Sequence, residues 1–164
     1  MLLDESFIKS KVRSSLRDTD YSIVHIASHG MFVSISRDTF LLTYDGKLTL
    51  NELEQLLQPK QFKGKPVELL TLSACQTAVG DDRAALGLAG VAIKAGARSA
   101  VATLWCVNDE ASASLITDFY QQLVNDPKIS KAKAMQKAQL NLLKDERYAH
   151  PMYWSPYLII GNWL

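Results

Sequence analysis

The chain has 164 residues, 48% of them hydrophobic, which suits one domain with a full-sized core. Lys and Arg number 18 against 17 Asp and Glu, so a net charge of +1 gives no electrostatic reason to expect nucleic acid or an anionic membrane as a partner. The apolar runs fall short of the ~20 residues of a membrane helix, and the N-terminus, MLLDESFIKSKVRSSL, has acids where a secretory signal needs a basic flank, so a cytoplasmic domain is expected.

In chain order, Phe7, Ile8, Val12 and Leu16 recur at roughly helical spacing and predict a helix over residues 5–17. Tyr21 to Ser28 is a short apolar strand ending in Ser28-His29-Gly30. It delivers an imidazole to the rim of a sheet, and the glycine after it lets the backbone turn sharply. In FLLTYDGKLTL, Asp45-Gly46 between two β-prone runs signals a hairpin. Thr49 and Glu52 form a capping box ahead of ELEQLL, so a short helix follows. The stretch QPKQFKGKP reads as a loop, and VELLTLSA as a second apolar strand.

RAALGLAGVAIKAGA predicts a buried helix closed by Gly96 near its C-cap, and SAVATLW a third strand. Asn108 or Asp109 caps a helix to about Val124. Ser130 caps another to about Leu143, whose lysines form its solvated face. YWSPYLIIGNWL holds one more short strand. Strands apolar at nearly every residue are usually parallel and covered on both faces. Alternation with helices says the same, so the expected class is a three-layer α/β/α sandwich with a mostly parallel sheet, one domain over 1–164.

Chemistry in such sheets sits beyond the carboxyl ends of the strands. The first two strands end near His29 and Cys75; if they are neighbours, the two residues share one rim as a candidate dyad. A thiol near an imidazole can ionise at neutral pH, and the thiolate is the nucleophile. The imidazole would protonate the leaving amine. The amides of Gly30 and Cys75 would suit as oxyanion donors.

Each of these residues also has an ordinary explanation. A lone cysteine is most often a small core residue, and two cysteines do not make a disulfide framework, so both are read as free thiols. His25 points to the same side of the strand as His29. No third ligand has metal-site spacing, so His25 is read as a satisfied core histidine, and neither metal nor cofactor is expected. His150, before Pro151, fits a loop fixing the C-terminal turn, and Trp105, Trp154 and Trp163 fit core or rim packing. Gly87, Gly90 and Gly96 lie in or at the end of a helix, which suits close packing and not a phosphate loop. Ser73 is not in a G-x-S-x-G elbow, which speaks against a serine hydrolase.

HIASHG, LSACQTAVG, LGLAGVAIKAGARSAVATLW and HPMYWSPYLIIGNW, in this order, resemble the CHAT domain, a family similar to caspases and separases. The resemblance covers almost the whole chain. It implies a caspase-like fold, a catalytic dyad of His29 and Cys75, and cysteine endopeptidase activity on a protein or peptide substrate. The spacing of 46 positions from His29 to Cys75 agrees with the roughly 50 of caspase-like order. It also implies a bacterial multidomain parent with helical repeats, often tetratricopeptide, ahead of the peptidase domain. CHAT domains normally carry further strands before the histidine strand, so the chain is expected to be the C-terminal portion of the domain. Strand 21–28 then has an open edge, and self-association through that edge is expected.

In caspase-like enzymes the residue two before the cysteine helps line the pocket for the side chain preceding the cut. Here it is Ser73, small and neutral. Asp81 and Asp82, in the loop after the cysteine, could supply negative charge, or simply form an exposed turn. Cys106, where the family is expected to have proline, stands beside the presumed cleft without an assigned role. Two further function classes stay open: a non-catalytic interaction module of the same fold in a signalling assembly, and another thiol-dependent hydrolase or transferase.

Overall fold

The computed structural model describes residues 1–31, 39–62, 65–73, 93, 96–105 and 107–164. In chain order these contain a 3-10 turn Asp4–Ser6, α1 (Lys9–Asp18), β1 (Ile23–Ala27), β2 (Gly30–Met31), β3 (Phe40–Thr43), β4 (Gly46–Thr49) and α2 (Leu50–Phe62). There follow β5 (Leu69–Ser73), β6 (Ser99–Thr103), α3 (Asp109–Asn125), α4 (Lys131–Leu143), a 3-10 turn Glu146–Tyr148, α5 (Pro151–Trp154) and β7 (Tyr157–Gly161). No described helix is long and apolar enough to cross a membrane.

The capping chemistry is as the local sequence predicts. The Thr49 amide donates to Glu52 Oε2 at 2.8 Å and the Glu52 amide to Thr49 Oγ1 at 3.3 Å, which closes the box at the start of α2. Asn108 Oδ1 accepts from the Ala111 amide at 2.9 Å, and Ser130 Oγ from the Lys133 amide at 3.2 Å. Gly96 has φ +93°, which only glycine adopts without strain, and its amide donates to the Ile93 carbonyl at 2.9 Å. His150 Nδ1 accepts from the Met152 amide at 3.2 Å and so fixes the start of α5.

Three expectations need correction. The helix over 5–17 breaks at Phe7–Ile8 and resumes at Lys9. The cause is the β3–β4 hairpin: the Phe7 carbonyl accepts from the Tyr44 amide at 2.8 Å, and Asp45 Oδ1 accepts the Lys9 amide at 2.9 Å. The hairpin turn is Tyr44–Asp45, and Gly46 already pairs with Thr43 as the first residue of β4. Finally, the stretch read as a loop from Gln58 is helical through Pro59 to Phe62. Pro59 has no amide to donate, but the turn around it keeps helical geometry.

The main sheet has the order β1-β5-β6-β7; β1, β5 and β6 are parallel, and β7 returns antiparallel to β6. One face carries Ile26, Leu70, Leu72, Ala100 and Ala102 against α1, α2 and Leu41 and Leu48 of the hairpin. The other carries Leu69, Val101 and Tyr157 against α3 and α4. Helices on both faces make the three-layer α/β/α sandwich. A second, three-stranded antiparallel sheet, β2-β3-β4, includes the hairpin. Each fully buried Leu or Val contributes about 1.5–3 kcal/mol through lost contact with water.

Among the described residues no strand pairs with the outer edge of β1. The Ser22 carbonyl accepts from the Leu69 amide and the Ser28 amide donates to the Ser73 carbonyl. Even-numbered residues of β1 therefore face β5, and Ile23, His25 and Ala27 turn their backbone groups to the open edge.

Candidate functional site

β1 and β5 run side by side in parallel, with Ala27 opposite Ser73. His29 follows Ala27 by two residues, and Cys75 follows Ser73 by two. The strand adjacency that the expected dyad requires is thus present. Cys75, Asp81, Asp82 and Cys106 lie outside the described residues, as do Gly87, Gly90 and most of the stretch 83–97.

The backbone on both sides of His29 is tied down. The Leu42 amide donates to the His29 carbonyl at 2.8 Å, the Ser28 hydroxyl donates to the Leu42 carbonyl at 2.5 Å, and the Ser28 amide reaches the Ser73 carbonyl at 3.1 Å. The main sheet and the hairpin together hold His29 at the rim, with its imidazole exposed. Gly30, expected to let the backbone turn sharply, has no left-handed φ; it is buried and opens β2, opposite Leu41.

Beside His29 lies a cavity of about 530 Å³. Its sheet wall is made by His25, Ala27, His29 and Ser73. Its helix wall is one face of α3: Asp109, Ser112, Ala113, Ile116, Thr117 and Tyr120 recur at three- and four-residue steps. The core face of the same helix carries Ala111, Leu115 and Phe119. The cavity exists because α3 covers β5 and β6 but leaves this face of β1 open.

The floor is a small polar network. Nε2 of His25 stands 3.3 Å from Ser73 Oγ, and its ring packs on Tyr120 at a centroid distance of 5.7 Å. The Tyr120 hydroxyl donates to Thr71 Oγ1 at 2.8 Å. Burial on this side lowers the His25 pKa below the ordinary histidine value, so the ring is neutral at pH 7. Burial also raises the Tyr120 pKa, against the smaller opposing effect of its bond to Thr71.

His25 is therefore not the core histidine that its apolar neighbours suggested: it faces the cavity and is partly open to solvent. Trp105 and Trp163 are exposed, at 41% and 55%, which leaves rim packing of the two expected roles, and Trp154 packs against the core. Of the predicted pocket residues, Ser73 lines the cavity. Asp109 and Tyr120 also line the cavity, which no motif in the sequence marks. The signal for both was the helical repeat from Asp109 to Tyr120, whose small and polar members alternate with the core positions of α3. Among the described residues no group of three or more His, Cys, Asp or Glu is arranged to hold a metal ion.

No curated protein matches the chain. The CHAT domain family matches residues 1–162, essentially its whole length. On that match, together with the α/β sandwich, the chain belongs to the CHAT domain family, a caspase-like family related to cysteine peptidases.

Proposed function

We propose that the chain is a cysteine endopeptidase domain with Cys75 as nucleophile and His29 as acid and base. The observation that carries this reading is the parallel pairing of β1 with β5, Ala27 opposite Ser73, in a chain of a caspase-like family. In the proposed cycle His29 takes the thiol proton of Cys75, and the thiolate attacks the carbonyl carbon of the scissile peptide bond. The amides of Gly30 and Cys75 would stabilise the oxyanion. His29 then passes its proton to the leaving amine as the C–N bond breaks. Water, deprotonated by His29, releases the acyl group and regenerates the thiol. The substrate is a protein or peptide, and no cofactor takes part.

Cleavage of a peptide library by the wild-type chain, by Cys75→Ala and by His29→Ala tests this. Cys75→Ala should abolish cleavage, and His29→Ala should reduce it by about 10²-fold or more. Iodoacetamide should alkylate Cys75 faster than Cys106 in the wild type, with the difference lost in His29→Ala. Cleavage that survives Cys75→Ala, or equal slow labelling of both thiols, would overturn the proposal in favour of a non-catalytic module or a different chemistry.

A further inference from the structure

We propose that the cavity between β1 and α3 is a side-chain subsite for lysine or arginine, with Asp109 as the counter-charge. The inference rests on the peptidase reading for its place in a reaction: it names the side chain held beside His29. Its chemistry follows from the walls. Ala27, Val107, Ala113 and Ile116 give an apolar surface, and at about 530 Å³ the cavity has room for a long side chain. Lys and Arg lay their aliphatic stems along apolar surface and keep the charged head at a polar end.

Asp109 is the only carboxylate on the described walls, and no lysine or arginine is among them. It is the first residue of α3. Among the described residues its carboxylate makes no ion pair, whereas the next residue, Glu110, meets Arg147 at 3.3 Å outside the cavity. Ser112 and Thr117 add hydroxyl acceptors for the several N–H donors of a guanidinium. His25, neutral at pH 7, offers an acceptor and does not repel a cation. An acidic side chain would find no lysine or arginine on the described walls.

The test separates binding from catalysis by using the Cys75→Ala chain. Acetyl-arginine methylamide and its neutral isostere acetyl-citrulline methylamide are titrated into it, and chemical shifts of His25 and Ser112 are followed by NMR. The arginine compound should bind more tightly than citrulline, and adding Asp109→Asn should weaken it about fivefold to tenfold. Adding Glu110→Gln removes the same charge from outside the cavity and should leave binding unchanged. Equal binding of the two compounds, no binding of either, or equal losses from Asp109→Asn and Glu110→Gln would overturn the subsite. Peptide cleavage by the wild type without preference for Lys or Arg would also overturn it while leaving the peptidase intact. Absence of any cleavage would remove the peptidase, and the titration would still decide the subsite.

Discussion

β1 and β6 are both short apolar strands of one parallel sheet, and their surroundings are opposite. Every residue of β6 is buried, including Ser99 and Thr103. It has a strand on each side and helices on both faces. In β1 only Ile26 is buried, and Ile23 is 44% exposed. α1 covers the Val24–Ile26 face, but His25 and Ala27 open onto the cavity. Apolar composition therefore does not set burial. The candidate site lies where one layer of cover stops, and there a polar network of His25, Ser73 and Tyr120 replaces packing.

The contrast predicts unequal costs for deleting carbon. Val101→Ala, in the middle of β6, removes fewer atoms than Ile23→Ala on β1, yet should lower stability by about 2–3 kcal/mol because it leaves a cavity in packed surroundings. Ile23→Ala should cost less than about 1 kcal/mol. Urea denaturation of the two variants measures this, and comparable losses would mean that β1 is as well covered as β6.

The single covered face of β1 depends on α1, which is tied to the start of α2. Glu52 accepts from Arg13 at 2.7 Å and meets Lys9 at 3.0 Å, besides closing its capping box. Partial burial opposes its ionisation, but the Thr49 and Lys9 hydrogen bonds outweigh it and hold its pKa at about 2, below the ordinary 4.5. A carboxylate lowered on folding stabilises the fold above its unfolded pKa, and that contribution is lost as pH falls through the folded value. Glu52→Gln should cost about 1–2 kcal/mol at neutral pH. The gap to wild type should close as pH approaches 2, and thermal melts at both ends of the range check it. A gap unchanged at low pH would show that charge is not what holds α1 in place.

The smallest effect concerns the open face itself. Burial against Tyr120 predicts that His25 titrates below the ordinary histidine value, as read by NMR. Folding then favours the neutral ring, so its contribution is complete above that ordinary value and is lost as pH falls through the lowered one. Tyr120→Ala should raise the His25 pKa towards normal. An unshifted His25 in the wild type would mean that the cavity floor is as wet as its mouth.

Much of the fold was legible because it rests on contacts between near neighbours in the chain. The capping groups of Thr49, Glu52, Asn108 and Ser130 act on amides three residues away, so spacing alone reveals them. The hairpin signalled by Asp45-Gly46, though its turn is Tyr44–Asp45, and the left-handed glycine at Gly96 are of the same kind. The neighbouring ends of the first two strands could be proposed because parallel strands in such sheets share an active rim.

What tertiary structure decided came from partners far along the chain. The break at Phe7–Ile8 is made by Tyr44 and Asp45, which no helical period can anticipate. His25 looked like a core residue because its neighbours are apolar; its exposure follows from the edge position of β1 and the reach of α3. Asp109 looked like a helix-capping residue and became part of a cavity wall only when α3 packed beside β1. Hydrogen bonds within one turn are specified by residue type and spacing, so the sequence by itself determined the strands and the capped helix starts at Thr49, Asn108 and Ser130. Burial and cavity shape are sums over atoms from distant elements, so only the assembled layers decided which face of β1 stayed open.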